Sequence, residues 1–252
     1  MPLIMQAMVI DDFGEPDVFR QTELPCPEVP AQHVLIRVAA SSVNPVDTKI
    51  RQGKLAAIAP DRPAILHGDV AGTIEAVGTG VKNLAVGDEV YACAGGVKDR
   101  QGALADFMLA EAALVAHAPE SLPLNDAAAL PLVCITAWEA LIDKARVQAG
   151  QTVMVFGGTG GVGHIGVQLA RWRGAKVTAT CSSQDKAEKL KMLGVEDVDN
   201  YREDSLDDII ESRTEGEGFD VVFDTVGGEN LQNAFAAARL NGTIVTTAAR
   251  ST

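Results

Sequence analysis

The chain has 252 residues, with 34 acidic against 21 basic side chains and a formal charge of −13; 47% of the residues are apolar and 22% charged. This length and mix build a sizeable core, which excludes a disordered or collagen-like chain. The charge argues against a nucleic-acid partner, since phosphates are repelled unless one face is strongly basic, and the densest basic run, 186–191, also carries Glu188.

In chain order, residues 1–5 have neither a basic segment nor a long apolar one, so they predict no signal peptide. The first third reads as β structure. Strands are expected over 34–40, 71–78, 86–92 and 103–109, punctuated by Gly-Asp turns and by prolines at 25, 27, 30, 45, 60 and 63. Short strands with such punctuation predict a compact β barrel or sandwich.

The second half alternates strand and helix. Asn125 caps an expected helix through 127–145, broken near Pro131. Strands are expected over 152–156, 176–180, 197–200, 220–224 and 243–247, and helices over 163–173, 185–193, 205–213 and 229–240. Such alternation predicts a parallel sheet covered on both faces. The expected domains are therefore 1–123 and 124–252. Five strands follow residue 152 where a doubly wound dinucleotide fold usually has six, so the expectation is that further residues or a partner cover the edge.

The longest apolar-rich stretch, 127–138, holds Pro131 and Thr136 and falls short of the roughly 20 residues a membrane helix needs. Cys26, Cys93, Cys134 and Cys181 are far apart, giving neither a disulfide framework nor a zinc spacing. A reducing cytoplasm is the expected location.

The strongest chemical signal is Gly157-Gly158-Thr159-Gly160-Gly161-Val162-Gly163, between an apolar strand and a helix. Gly158, Gly160 and Gly163 fit G-x-G-x-x-G. Glycines there give a tight turn and close backbone approach to a pyrophosphate at a helix N-terminus. With Thr159, Gly161 and Val162 they form the candidate cofactor loop. An NAD site normally has an acid at the tip of the second strand. This tip reads Cys181-Ser182-Ser183, with no acid until Asp185. Ser182 and Ser183 as hydrogen-bond donors, and Lys186 as a cation, suit a 2′-phosphate, so NADPH is the expected cofactor. Lys186 also reads as an ordinary solvated helix residue.

The whole chain resembles the medium-chain dehydrogenase/reductase superfamily, most closely its zinc-free quinone oxidoreductase and enone (alkenal) reductase branch. The resemblance rests on Gly14-Glu15-Pro16-Asp17-Val18, Ser42-Val43-Asn44-Pro45-Val46-Asp47, Gly68-Asp69-Val70-Ala71-Gly72, Val86-Gly87-Asp88-Glu89-Val90, the glycine loop, Asn200-Tyr201-Arg202 and Phe223-Asp224-Thr225-Val226-Gly227-Gly228. It implies an α/β chain, a GroES-like β barrel followed by a Rossmann doubly wound sheet, with members running roughly another 80 residues to a last strand and a return to the barrel. It also implies a homodimer and a small electrophilic substrate.

In zinc-dependent relatives a Cys stands where this chain has Asn44, a His where it has Gly68 and a Cys near Leu132. His67 and Cys134 are close to two of these positions but out of register and are expected to be structural. No metal is expected. Without a Lewis acid to polarise a carbonyl, a quinone or an activated C=C is the better hydride acceptor, because conjugation spreads the developing charge. Asn44 is the expected hydrogen-bond donor to the developing enolate oxygen, or else the cap of an Asx turn before Pro45. Asp47 is expected to orient its neighbours. Lys49 stands where quinone oxidoreductases often carry Tyr; it either stabilises the enolate, binds a cofactor hydroxyl, or is an exposed cation. By resemblance, Thr136 faces the nicotinamide, Tyr201 flanks the 2′-phosphate, and Val226, Gly227 and Ala248 follow the fourth and fifth strands. His164 reads as an exposed helix residue and the acidic run 203–217 as a solvated face.

The expected activity is NADPH-dependent reduction of a quinone or an α,β-unsaturated carbonyl. Its alternatives are an alcohol dehydrogenase-like carbonyl reductase and a protein that binds NADPH without turnover.

Overall fold

The computed structural model describes residues 4–247, which form two compact units divided between Leu132 and Val133. The expected boundary lay at 123/124. A short helix, α2 (Leu124–Ala127), buries Ala127 and Ala128 against Ala71 of the first unit, which moves the division to 132/133.

The first unit opens with an antiparallel hairpin, β1 (Ile4–Ile10) and β2 (Phe19–Pro25), that the sequence reading did not anticipate. Its β1 buries Met5, Ala7 and Val9 on one face, the period-2 pattern of a half-buried strand. The main sheet has the order β6-β3-β4-β5-β7, from β3 (His33–Ser41), β4 (Asp69–Val77), β5 (Glu89–Cys93), β6 (Phe107–Glu111) and β7 (Val115–His117), all antiparallel. The strand expected over 103–109 begins only at Phe107; before it, Ala105 makes an isolated bridge to Ala7. Inward residues Val34, Ile36, Val70, Ile74, Val90 and Met108 form one core, each worth about 2–3 kcal/mol on burial. Helix α1 (Pro45–Arg51) leaves β3 through Asn44.

The expected helix over 127–145 is three pieces that run across the 132/133 division into the second unit. Pro131 breaks it by opening a new helix, α3 (Pro131–Trp138), where a missing N–H costs nothing. A π-helical turn follows over Glu139–Lys144 and buries Ala140 and Leu141. The cap of α2 is Pro123, so Asn125 lies inside the helix.

The sheet then runs β10-β9-β8-β11-β12, wholly parallel: β8 (Thr152–Phe156), β9 (Lys176–Cys181), β10 (Asp197–Asn200), β11 (Phe219–Asp224) and β12 (Ala238–Thr246). Its central strands are buried almost throughout because both faces are covered. The covering helices are α4 (Gly161–Trp172), α5 (Gln184–Met192), α6 (Leu206–Thr214) and α7 (Asn230–Ala237). Helix α4 presents Gly163, Gly166, Val167 and Ala170 inward, a helical stripe against the sheet. Helix α7 was expected to reach Leu240. It stops at Ala237 because Ala238 pairs with Phe219 and starts the last strand. No described helix is long and apolar enough to cross a membrane.

Candidate active site

The second unit carries a cleft of about 710 Å³ at the carboxyl ends of β8, β9 and β11. Strand order reverses between β8 and β11, and in open parallel sheets ligands sit at such a point. The glycine loop follows β8. Gly160 is the N-cap of α4, so the helix begins two residues earlier than expected. Its first-turn N–H groups have no intrahelical acceptor. A Cβ on Gly163 would lie 2.1 Å from the Gly157 carbonyl oxygen, so only glycine lets the helix start fold this closely onto the loop. That cradle of backbone donors fits a pyrophosphate.

The expected cofactor residues divide into those that line this cleft and those that do not. Thr159, Gly160, Ser182, Lys186, Tyr201 and Val226 line it. At the β9 tip, Lys186 Nζ donates to Ser182 Oγ at 3.0 Å, which brings a cation and a hydroxyl to one place. Ser183 is the N-cap of α5. Gly158 is buried beneath the loop against Ala179 and Leu190. Gly161, Val162 and Gly163 form the first turn of α4, Gly227 lies in the loop after β11, and Thr136 lies half-buried on α3; none of these is among the cleft-lining residues. Ala248 lies outside the described residues. His164 is held by its own turn, with Nδ1 3.0 Å from the Gly160 carbonyl oxygen.

The sequence reading missed several residues here. Thr180 Oγ1 accepts from the Gly157 N–H at 3.2 Å, tying the loop to β9. Thr225 Oγ1 donates to the Phe156 carbonyl at 2.7 Å. Asp204 brings a negative charge to the same cleft.

The first unit holds a smaller cavity of about 260 Å³ walled by Asn44, Asp47, Gly68, Cys93 and Leu132 with apolar Val46 and Leu114. Asn44 caps α1 in a box with Asp47, whose Oδ2 accepts the Asn44 N–H at 2.7 Å. The Asn44 amide nitrogen donates to Asp69 Oδ2 at 2.8 Å and to Ser42 Oγ at 3.2 Å. Both of its N–H groups are therefore spent inside the protein, and the free donor expected for a substrate oxygen is not present in this arrangement. Asp69 is fully buried and also accepts from Ser42 Oγ at 2.8 Å and from the Leu132 N–H at 3.0 Å. Its only signal in the sequence was its place in the Gly68-Asp69 motif.

Burial pushes the Asp47 carboxyl up to about 6; the nearby Asp69 charge adds to this, and the N–H groups of Asn44 and Gly68 oppose it. Burial and the Asp69 carboxylate push the Cys93 thiol up to about 12. His67 Nδ1 lies 3.3 Å from Ser41 Oγ, and burial holds its pKa below the ordinary value. Lys49 is exposed on α1 and does not line the cavity.

Two family models match. The alcohol dehydrogenase GroES-like domain covers residues 30–120 and the zinc-binding dehydrogenase model covers residues 161–252. An NADPH-dependent alkenal/one oxidoreductase of Arabidopsis thaliana is 37% identical over 90% of this chain and 58% of its own length. The chain thus spans little more than half of that relative. A quinone oxidoreductase of Rattus norvegicus is 34% identical over 98% of this chain and 74% of its own. Among solved structures, an alcohol dehydrogenase superfamily protein from Novosphingobium aromaticivorans superposes with a TM-score of 0.92 at 41% identity, covering 98% of this chain and 74% of that one.

Among the described residues no group of three or more His, Cys, Asp or Glu side chains is placed to hold a metal ion. The Asn44 amide is turned into its Asp69 bond, and Gly68 offers no ligand.

Proposed function

This chain belongs to the medium-chain dehydrogenase/reductase superfamily, alongside quinone oxidoreductases and alkenal/one reductases, and from that premise we propose that it is a zinc-independent, NADPH-dependent reductase of quinones or α,β-unsaturated carbonyls. The observation that carries the reading is the cleft after β8, where a helix begins at the glycine loop and the β9 tip offers Ser182 and Lys186 rather than an acid. Bound there, the dinucleotide supplies a hydride from its nicotinamide.

The protein's own residues do the rest. The first turn of α4 takes the pyrophosphate through its N–H groups. Lys186, Ser182 and Tyr201 meet the 2′-phosphate, a charge-assisted contact that NADH lacks. Thr136, Ser183, Gly227 and Ala248 stay within the proposed cofactor set through their positions in the family pattern. On the acceptor side, Asn44, Asp47 and Arg100 are the polar members of a small cavity whose other walls are largely apolar, which suits a conjugated carbonyl. Lys49 is the outlying member of this proposed set, exposed on the same helix. A hydride supplied to the β-carbon of an enone would move electrons to the carbonyl oxygen, and solvent or another donor would then supply the proton at the α-carbon.

Four free cysteines fit a reducing compartment, and we place the protein in the cytoplasm. The family pattern supports a homodimer, which sedimentation tests directly.

The test is NADPH and NADH oxidation, followed by near-UV absorbance, against a quinone, a short enone, an alkenal and a ketone, with and without a chelator. Chelator-insensitive turnover of an enone or quinone with NADPH supports the reading. Chelator-sensitive ketone reduction points instead to an alcohol dehydrogenase-like enzyme. Saturable NADPH binding with no turnover points to a binding protein.

A further inference from the structure

We propose that Arg100 is a catalytic donor of the acceptor cavity in the first unit: its guanidinium receives the carbonyl oxygen of a conjugated substrate and holds the negative charge that gathers there on reduction. The inference rests on the reading of that cavity as the acceptor site.

The cavity lacks a donor elsewhere. The Asn44 amide nitrogen is committed to Asp69 Oδ2 and Ser42 Oγ. The Asp47 carboxyl, when ionised, works against an oxyanion, and the Cys93 thiol is a weak donor. Among the described residues that line the cavity, Arg100 is the only cation.

The backbone that carries Arg100 is fixed. Val97 and Arg100 close a turn over Lys98 and Asp99: the Arg100 N–H donates to the Val97 carbonyl at 3.1 Å and the Val97 N–H to the Arg100 carbonyl at 3.2 Å. Lys98 adopts a left-handed φ of 55°, and its N–H donates to the Ile58 carbonyl at 2.9 Å. Gln101 ties down the other side, where its Oε1 accepts the Ile65 N–H at 2.7 Å and its Nε2 donates to the Asp61 carbonyl at 2.9 Å. A Cβ on Gly95 would lie 2.2 Å from the Gln101 carbonyl oxygen, so the two limbs of the loop are pressed together.

Glu111, at the end of β6, orients the guanidinium. Its Oε1 accepts from Arg100 Nε at 3.1 Å and pairs with Nη2. Nη1 has no hydrogen-bond partner among the described residues. Arg100 also lines a separate hollow of about 520 Å³, and Glu111 lines that hollow but not the acceptor cavity. Arg100 therefore stands between the two spaces, with its counter-charge belonging to the hollow and Nη1 left over for the cavity.

A cation set in place beforehand stabilises charge as it develops and spends nothing on reorganisation at that moment. NADPH, oxidised to NADP⁺, supplies the hydride pair. As the C–H bond forms at the β-carbon, the C=C pair shifts towards the carbonyl carbon and the C=O pair moves onto oxygen. Arg100 donates a charge-assisted hydrogen bond to that oxyanion and keeps its own proton.

The test uses 4-nitrophenol, whose phenolate spreads one negative charge from a single oxygen as an enolate does. Its binding is followed by visible absorbance across pH, without cofactor. Wild type is expected to prefer the phenolate over the phenol about tenfold, and Arg100→Met to lose that preference. In the same variant kcat/KM for a short enone is expected to fall about 10²-fold, mostly in kcat, while Kd for NADPH changes by less than about twofold. Arg100→Lys keeps the charge and is expected to recover about tenfold of the loss. Glu111→Gln breaks the ion pair but leaves the cation, and is expected to keep the phenolate preference, which a merely structural role for Arg100 would not allow. Arg100→Gln decides the matter if Arg100→Met fails to fold. An Arg100→Met chain that keeps the wild-type value of either quantity overturns the proposal, as does a wild type that reduces an enone without preferring the phenolate. A wild type that neither binds 4-nitrophenolate nor reduces any enone or quinone overturns the acceptor reading itself.

Discussion

The amide nitrogen of Asn44 stands 2.8 Å from Oδ2 of Asp69, and that carboxylate is completely buried. Ser42 and the Leu132 N–H converge on the same group. The consequence is that the Asn44 amide nitrogen is held in one orientation by its bonds to Asp69 and Ser42. Asp69→Ala strands three donors at once and is expected to destabilise the protein by about 3 kcal/mol in urea denaturation. Asp69→Asn keeps the shape but offers its own N–H groups to the same donors, so it is expected to cost less, on the order of 1–2 kcal/mol, and to lower kcat more than it raises KM.

Asp47 gives a pH signature. Its folded carboxyl titrates at about 6 against an ordinary 3.8. Above about 6 the carboxylate is ionised in both states, and its burial costs stability. As pH falls from about 6 towards 3.8 the folded state binds a proton that the unfolded chain does not yet hold, so stability from this group rises on acidification. Asp47→Asn removes the effect. The stability of the wild type minus that of the variant is expected to grow on the order of 1–2 kcal/mol across the window, read by denaturation at a series of pH values.

The thiol of Cys93 lines the cavity in which an electrophile is proposed to sit, yet its pKa of about 12 keeps it protonated. Only the thiolate attacks. Alkylation of Cys93 by iodoacetamide near neutral pH is expected to run ~10³-fold slower than for an ordinary thiol. Peptide mapping of the labelled protein checks this, and rapid labelling of Cys93 would contradict the assigned environment.

Gly163 has no room for a side chain, because its Cβ would meet the Gly157 carbonyl at 2.1 Å. Gly163→Ala is expected to push the loop away from the helix start, to weaken NADPH binding at least about tenfold and to cost about 2 kcal/mol of stability. Calorimetry and thermal unfolding read the two effects separately.

The parallel sheet was legible because short strands alternate with helices and β8 and β11 centre on apolar runs, and the glycine loop was legible because its backbone demands are local. The β1–β2 hairpin was not. Ile4 and Met8 are exposed while Met5, Ala7 and Val9 are buried, so apolar residues on both faces hide the alternation. The end of α7 was misread because Ala238, Arg239 and Leu240 continue a helical composition, and only pairing of Ala238 with Phe219 forces them into a strand. Asp69 and Asp224 stood in motifs that carry the resemblance, but what they bond was not legible, for a related reason. Asp69 bonds residues 25 and 63 positions away, and Asp224 one 22 away. Sequence proximity cannot register such partners.

The residues that wall the cavity beside Asn44 all lie in 44–132, and those that wall the nucleotide cleft all lie in 156–233. Neither set is interrupted by the division at 132/133. Such a layout separates two inheritances. A crossover between relatives at that point would hand on each set of walls intact, so the proposed acceptor and cofactor sites are free to diverge on independent schedules.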